Sequence, residues 1–159
     1  MRRKSADDQT RASPPSLAAA GPISYAIVRL AKAHKAIAAG LLRKIGLYPG
    51  QELVLMHLCD EDERTQAELV RALNVDASTV ARMVSRLERQ RIVHREGSTR
   101  DRRAVIVSLT PRGVDLCEEV RLMWTELEAT TTTGMSAPER DELFQALQNA
   151  AHRLPVQGD

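Results

Sequence analysis

Between Asn74 and Leu109 the hydrophobic period changes from helical to alternating within a few residues, and no other stretch of the chain restricts the fold as strongly. Val80, Val84 and Leu87 recur at three- and four-residue spacing behind Asp76, whose carboxylate is suited to accept from the free N–H groups of a first helical turn. At about 100° per residue, Ser78, Arg82, Ser85 and Arg89 fall opposite those apolar positions, with Thr79 and Arg86 on the flank. After Ile92 the period is two: Val105, Val107 and Leu109 alternate with Ala104, Ile106 and Ser108, and Val93 opens an opposing strand. A helix with an outer face of hydroxyls and guanidiniums thus runs straight into a β-hairpin.

The hairpin tip, Gly97 to Arg103, combines turn residues with Arg100, Arg102 and Arg103 around Asp101, more charge than a solvated turn requires. From Asp76 to Arg103 eight arginines stand against four acidic residues, while the whole chain carries a net charge of only +2. The positive charge is concentrated here and the remainder is slightly acidic, the distribution expected of a local polyanion site. Upstream, Thr65-Gln66-Ala67-Glu68 has the form of a capping box that fixes the start of a preceding helix, with Leu69 and Leu73 turned inward. Capped helix, short turn, second helix with a polar outer face and basic hairpin make a winged helix-turn-helix, in which the second helix enters the major groove and the wing reaches the backbone or adjacent minor groove.

The residues Gln66-Ala67-Glu68-Leu69, Asp76-Ala77-Ser78-Thr79-Val80, Arg86-Leu87-Glu88, and Asp101-Arg102-Arg103-Ala104-Val105 leading to Leu109-Thr110-Pro111-Arg112-Gly113 resemble the MarR family of bacterial transcriptional regulators. The resemblance runs from about Pro49 to Val114, and its most specific part is the D-x-R wing followed by L-T-x-x-G. It implies that Arg103 is the wing arginine, that Asp101 braces the hairpin, and that the first and C-terminal helices join in a dimer interface. It also implies a pocket for small phenolic or other aromatic anions between the dimer helices and the DNA-binding lobe, for which Tyr25, His34, His57 and Trp124 are the candidates.

The rest of the chain is expected to fit a mainly α fold with a small β-hairpin wing. Residues 1–20 form an irregular arm, 21–48 a first dimerisation helix striped by Ile27, Leu30, Ile37, Leu41 and Ile45, 49–110 the winged lobe, and 111–159 C-terminal dimerisation helices. Arg2, Arg3, Lys4 and Arg11 in the arm could touch phosphates, but Asp7 and Asp8 dilute that charge. Pro49 fits an early position of the second helix, whose Leu53, Val54, Met56 and Leu58 form a nearly continuous run expected to pack deeply. Asp60 to Glu63 reads as a solvated acidic turn. Thr110-Pro111 and the box Ser136-Ala137-Pro138-Glu139 open the last two helices, whose broad apolar faces call for a second copy. With 3% aromatic residues the core is aliphatic.

No run of about 18 apolar residues and no secretory leader is present, which gives a cytoplasmic expectation. The four histidines are scattered, no Gly-rich phosphate loop or G-x-S-x-G turn occurs, and neither catalytic residues, cofactor nor metal ligands are expected. The expected partners are double-stranded DNA with a pseudo-palindromic operator, a second copy of the chain, and a small aromatic acid or phenol. Ser78, Arg82 and Ser85 are assigned to base edges, Thr79, Arg86 and Arg89 to phosphates, Arg100, Arg102 and Arg103 to the wing, and the helix start at Thr65 and Gln66 to a phosphate. The alternatives are a protein-interaction module without DNA binding and a thiol-based redox regulator working through Cys59 or Cys117. Both cysteines lie in apolar helical contexts, where buried, inert thiols are expected.

Overall fold

The computed structural model describes residues 15–61, 63–99 and 103–154. The arm cations at positions 2, 3, 4 and 11, and Arg100, Asp101 and Arg102 at the hairpin tip, lie outside that range. The chain divides into two units, Met1–Lys35 and Ala36–Asp159. In the first, the described part of the expected arm contains a short 3-10 helix, Ser16–Ala20, followed by Pro22, the first residue of α1 (Pro22–Lys44).

The second unit holds the core. Helix α1 ends where Gly46 takes a positive φ of 74°. The Leu47 N–H reaches back to the Leu42 carbonyl at 2.9 Å and both leucines bury, the paired arrangement that commonly closes helices on a glycine. The next helix, α2 (Gln51–Asp60), starts after a left-handed Gly50 and not at Pro49. Its apolar run is not uniformly deep: Val54, Leu55 and Leu58 are fully buried, whereas Leu53 and Met56 are about two-fifths exposed. Residues 54, 55 and 58 share one helical face and 53 and 56 do not, a division that an unbroken apolar run conceals.

The acidic segment corrects a second expectation. Glu63 opens a strand, β1 (Glu63–Thr65), so the hairpin is two strands of a three-stranded antiparallel sheet in the order β1-β3-β2. The others are β2 (Val93–Gly97) and β3 (Val105–Leu109), with Val93 opposite Leu109, Gly97 opposite Val105, and Thr65 opposite Ile106. Arg64 ties β1 to α2 by donating to the His57 carbonyl at 3.2 Å and pairing with Glu61 at 2.7 Å.

Helices α3 (Gln66–Leu73) and α4 (Ala77–Arg89) pack on α2 through Leu69, Val80, Val84 and Leu87, all fully buried. Helix α5 (Pro111–Thr131) closes the same core with Leu116, Val120, Met123 and Leu127. Helix α6 (Ala137–Arg153) buries none of its residues within the single chain, leaving Phe144 and Leu147 exposed. No helix among the described residues is long and apolar enough to cross a membrane.

The cysteines overturn the expectation of inert thiols. Cys59, near the end of α2, and Cys117, in the second turn of α5, form a disulfide with Cα atoms 6.1 Å apart. Cys59 is exposed and Cys117 half-buried. Each sits at the edge of its helix's apolar face, where α2 and α5 meet.

Candidate nucleic-acid interface

Asp76 organises the start of α4. Its carboxylate accepts from the Thr79 N–H at 2.8 Å, the Ser78 hydroxyl at 2.5 Å and the Thr79 hydroxyl at 2.6 Å. The two hydroxyls, Ser78 first, and the Thr79 amide hold this carboxyl well below the usual carboxylate range, so it is ionised at any physiological pH. The Thr79 oxygen in turn accepts from an Arg82 guanidinium nitrogen at 2.9 Å. Asp76, Ser78, Thr79 and Arg82 therefore form one connected network at the exposed N-terminal end of the helix, with the Arg82 guanidinium steered by its own first turn.

Further along the same face, the Arg86 guanidinium lies 5.8 Å from the centre of the Tyr48 ring, a cation–π interaction. Tyr48, Arg86, Arg89 and Gln90 line a hollow of about 420 Å³. The spacing of charges in α4 gave no sign of Tyr48, because it comes from the loop between α1 and α2 and has no local relation to the helix.

The end of α4 is fixed as firmly as its start. Arg91 takes a positive φ of 59°, Arg91 N–H reaches Glu88 O at 2.9 Å, and Ile92 N–H reaches Leu87 O at 3.0 Å. Arg91 is thus the left-handed residue that stops the helix. Arg95 on β2 donates through Nε to Glu88 on α4 at 2.9 Å and pairs with it as an ion pair, bracing the sheet against the helix. Two of the eight arginines counted in this region accordingly have architectural jobs, and the recognition charge rests on fewer of them.

Thr65 and Gln66 stand half-buried at the start of α3, where the capping box forms: Thr65 N–H donates to Glu68 at 2.7 Å and Glu68 N–H to the Thr65 hydroxyl at 3.2 Å. The helix start thereby satisfies its own amides at the cap. Ser85 is half-buried on α4, and Arg103 is exposed where the chain re-enters β3.

Of the four ligand candidates, Trp124 lines a cavity of about 910 Å³ on α2, α5 and α6, with Met56, Cys59, Val114, Cys117, Arg121 and Arg140 among its walls. Tyr25 lines a hollow of its own unit with Leu17 and Val28, and neither His34 nor His57 is among the residues of the larger cavity. Its rim carries charge: Arg121 is paired with Glu118 at 2.6 Å, and Arg140 Nε donates to the Met135 carbonyl at 3.2 Å. The indole N–H of Trp124 is buried with no acceptor, an unsatisfied donor at the cavity wall.

A sequence profile described as MarR family matches residues 45–104, which hold most of the lobe built from α2, α3, α4 and the sheet. Among solved structures, the chain is similar to a mutant of MarR from E. coli complexed with operator DNA, with a TM-score of 0.77 and 24% identity over 86% of this chain and 99% of that one. It is similar to S. aureus MepR in a complex with DNA, with a TM-score of 0.76 and 25% identity over 83% of this chain and 98% of that one. It is also similar to Bordetella bronchiseptica BpsR, whose DNA binding is regulated by 6-hydroxynicotinic acid, with a TM-score of 0.74 and 26% identity over 82% and 98% of the two chains. The capped polar helix α4 lies within residues 45–104, the segment that matches the MarR family, and the chain shares its fold with these solved structures over more than four-fifths of its length.

Proposed function

We propose that this chain is a cytoplasmic repressor that binds a pseudo-palindromic operator as a homodimer and is released by a small aromatic or phenolic ligand. The observation that carries the DNA reading is the Asp76-Ser78-Thr79-Arg82 network, which holds a guanidinium and a hydroxyl at the exposed end of a helix beside a basic wing. In this reading Ser78, Arg82 and Ser85 meet base edges, with Arg82 suited to guanine, while Thr79, Arg86 and Arg89 meet phosphates. Thr65 and Gln66 approach a further phosphate, and Arg100, Arg102 and Arg103 serve the wing. Two copies would present their α4 helices to half-sites roughly 34–36 Å apart along the duplex. The apolar side chains that α6 leaves exposed, Phe144 and Leu147 among them, support a second copy as the element that covers them.

The effector reading rests on the cavity at Trp124, whose volume is within the range of small-molecule sites and whose Arg140 offers a carboxylate a cationic rim. The ligand of BpsR, an aromatic acid, belongs to the same chemical class.

A fluorescence anisotropy titration against the DNA upstream of the chain's own gene tests the proposal. Submicromolar, salt-sensitive binding with two copies per site is expected. Arg103→Ala should weaken it about tenfold or more and lower the salt slope by roughly 0.9 for each phosphate that the variant no longer neutralises. Absence of DNA binding would leave a protein-interaction module as the better description, and unchanged affinity in Arg103→Ala would remove the wing from recognition.

A further inference from the structure

The disulfide and the cavity are parts of one structure. Cys59 and Cys117 both line the space that Met56 and Trp124 also bound, and their bond joins the last turn of α2 to the second turn of α5 across that wall. Cys59 is exposed and Cys117 half-buried, so an incoming thiolate can reach the bond. A protein that works on DNA in a reducing compartment does not keep a disulfide as a passive staple; disulfides in such settings are in general transient, catalytic or redox-sensing. Beyond the disulfide, the end of α2 is held by the Arg64 bonds to the His57 carbonyl and Glu61, while Asp60 ends the helix and Glu61 is already extended.

We infer that the Cys59–Cys117 disulfide is a redox gate on the effector cavity, closing its wall when oxidised and loosening it when reduced, so that ligand affinity follows the thiol state. The inference rests on the effector reading above. Reduction transfers two electrons and two protons from a dithiol: one thiolate of the reductant attacks a cysteine sulfur, the other cysteine leaves as thiolate and takes up a proton, and the second thiolate of the reductant then attacks the first reductant sulfur in the mixed disulfide, releasing the remaining cysteine as a thiolate that is protonated in turn. Two cysteine thiols and the disulfide of the reductant result. Once the tether is cut, two thiols need more room than a bonded pair, and the end of α2 keeps its packing and the Arg64 bonds but loses its covalent link to α5. A ligand then meets a wall it must order, and that ordering weakens binding.

The test uses 1-anilinonaphthalene-8-sulfonate, an aromatic anion, as the probe. Trp124 is the single tryptophan of the chain, so energy transfer from it to the dye reports occupancy near the cavity. The full-length chain is titrated as purified under air and after treatment with dithiothreitol, with thiol alkylation and mass spectrometry to establish the state of both cysteines. The oxidised chain should bind the dye at least about fivefold more tightly than the reduced chain. A Cys59→Ser/Cys117→Ser variant should bind like the reduced form and ignore dithiothreitol; because the wild-type comparison needs no variant, a misfolded variant would not decide the matter. Equal dye affinity in the two wild-type states, or a disulfide that dithiothreitol leaves intact in the folded chain, overturns the gate and leaves the effector reading standing. Failure of the dye to transfer energy from Trp124 in either state overturns the effector reading and the gate with it.

Discussion

Replacing Gly113 by alanine should damage the junction between the wing and α5, and the structure sets the size of the effect. A Cβ built on Gly113 would lie 2.2 Å from the Ile92 carbonyl oxygen and 3.0 Å from a Leu109 methyl. The obstructing atom is backbone, and that backbone is anchored: Thr110 N–H donates to Ile92 O at 3.0 Å, while the Thr110 hydroxyl bonds Arg91 O at 2.7 Å. The same hydroxyl caps α5 by accepting from Gly113 N–H at 3.1 Å. To reach even a 3.0 Å separation the chains must part by about 0.8 Å, which strains the cap and the Thr110 bonds together. Overpacking of this kind costs roughly 1–3 kcal/mol and a weakened hydrogen bond about 1 kcal/mol, so the total is about 2–4 kcal/mol. For a chain of this length that is a fall in Tm of roughly 4–16 °C. Thermal unfolding followed by circular dichroism measures it, with Gly97→Ala as the comparison, because a Cβ there meets nothing within 4 Å. If G113A melted within a degree or two of wild type while G97A did not, the close approach of α5 to Ile92 would not be what the glycine serves.

Asp76→Ala should weaken operator binding several-fold with no change in salt slope, since Asp76 orients Ser78, Thr79 and Arg82 without touching a phosphate; a changed slope in salt-dependent anisotropy would contradict that role. Acid should destabilise the fold from the helix starts inward. Asp76, Glu68 and Glu139 are held below their ordinary values chiefly by the Ser78, Thr65 and Ser136 hydroxyls respectively, so the unfolded chain takes up protons first as pH falls. Their contribution is complete above the unfolded carboxylate values near about 4 and is lost as pH drops through the lower folded values, so denaturant midpoints should be flat from pH 7 to about 5 and fall below that. A midpoint that rose on acidification would reverse the assignment. Arg91→Gly should raise stability by up to about 1 kcal/mol, because glycine accepts the left-handed backbone that arginine holds at φ 59°; a lower Tm would mean that the Arg91 side chain has an unseen packing role.

The features legible in the sequence are the local ones. Asp76, Val80, Val84 and Leu87 define α4 through interactions within a few residues, and the boxes at Thr65 and Ser136 mark their helix starts for the same reason. Strand β1 escaped because three residues, Glu63 to Thr65, are too few to show alternation and are strands only by pairing with residues 106–108. The role of Arg95 depends on a turn that brings it to Glu88, so a tally of charges overstates the surface available to DNA. The Cys59–Cys117 pair spans 58 residues and is created by the packing of α2 on α5; read one at a time, each cysteine looks like a small apolar residue.

Helix α2 joins the two ends of this chemistry. At its C-terminal end stand Met56 and Cys59, in the wall of the cavity; at its N-terminal end Gln51, almost fully buried, donates to the Gln90 side chain at 3.3 Å. Gln90 caps α4 and also donates to the Gly46 carbonyl at 2.9 Å, tying α4 to the turn that closes α1. Ten residues of helix span about 15 Å, so a displacement of α2 as a whole would be felt both at Cys59 and at Gln51. The fully buried Val54, Leu55 and Leu58 between them leave little freedom to absorb that motion locally. A ligand in the cavity, or a change of thiol state in its wall, would reposition α4 only to the extent that it favours one placement of α2 over another. The quantity that decides coupling is therefore the ratio of ligand affinities with and without operator bound, and by reciprocity the same ratio must appear in operator affinity with and without ligand.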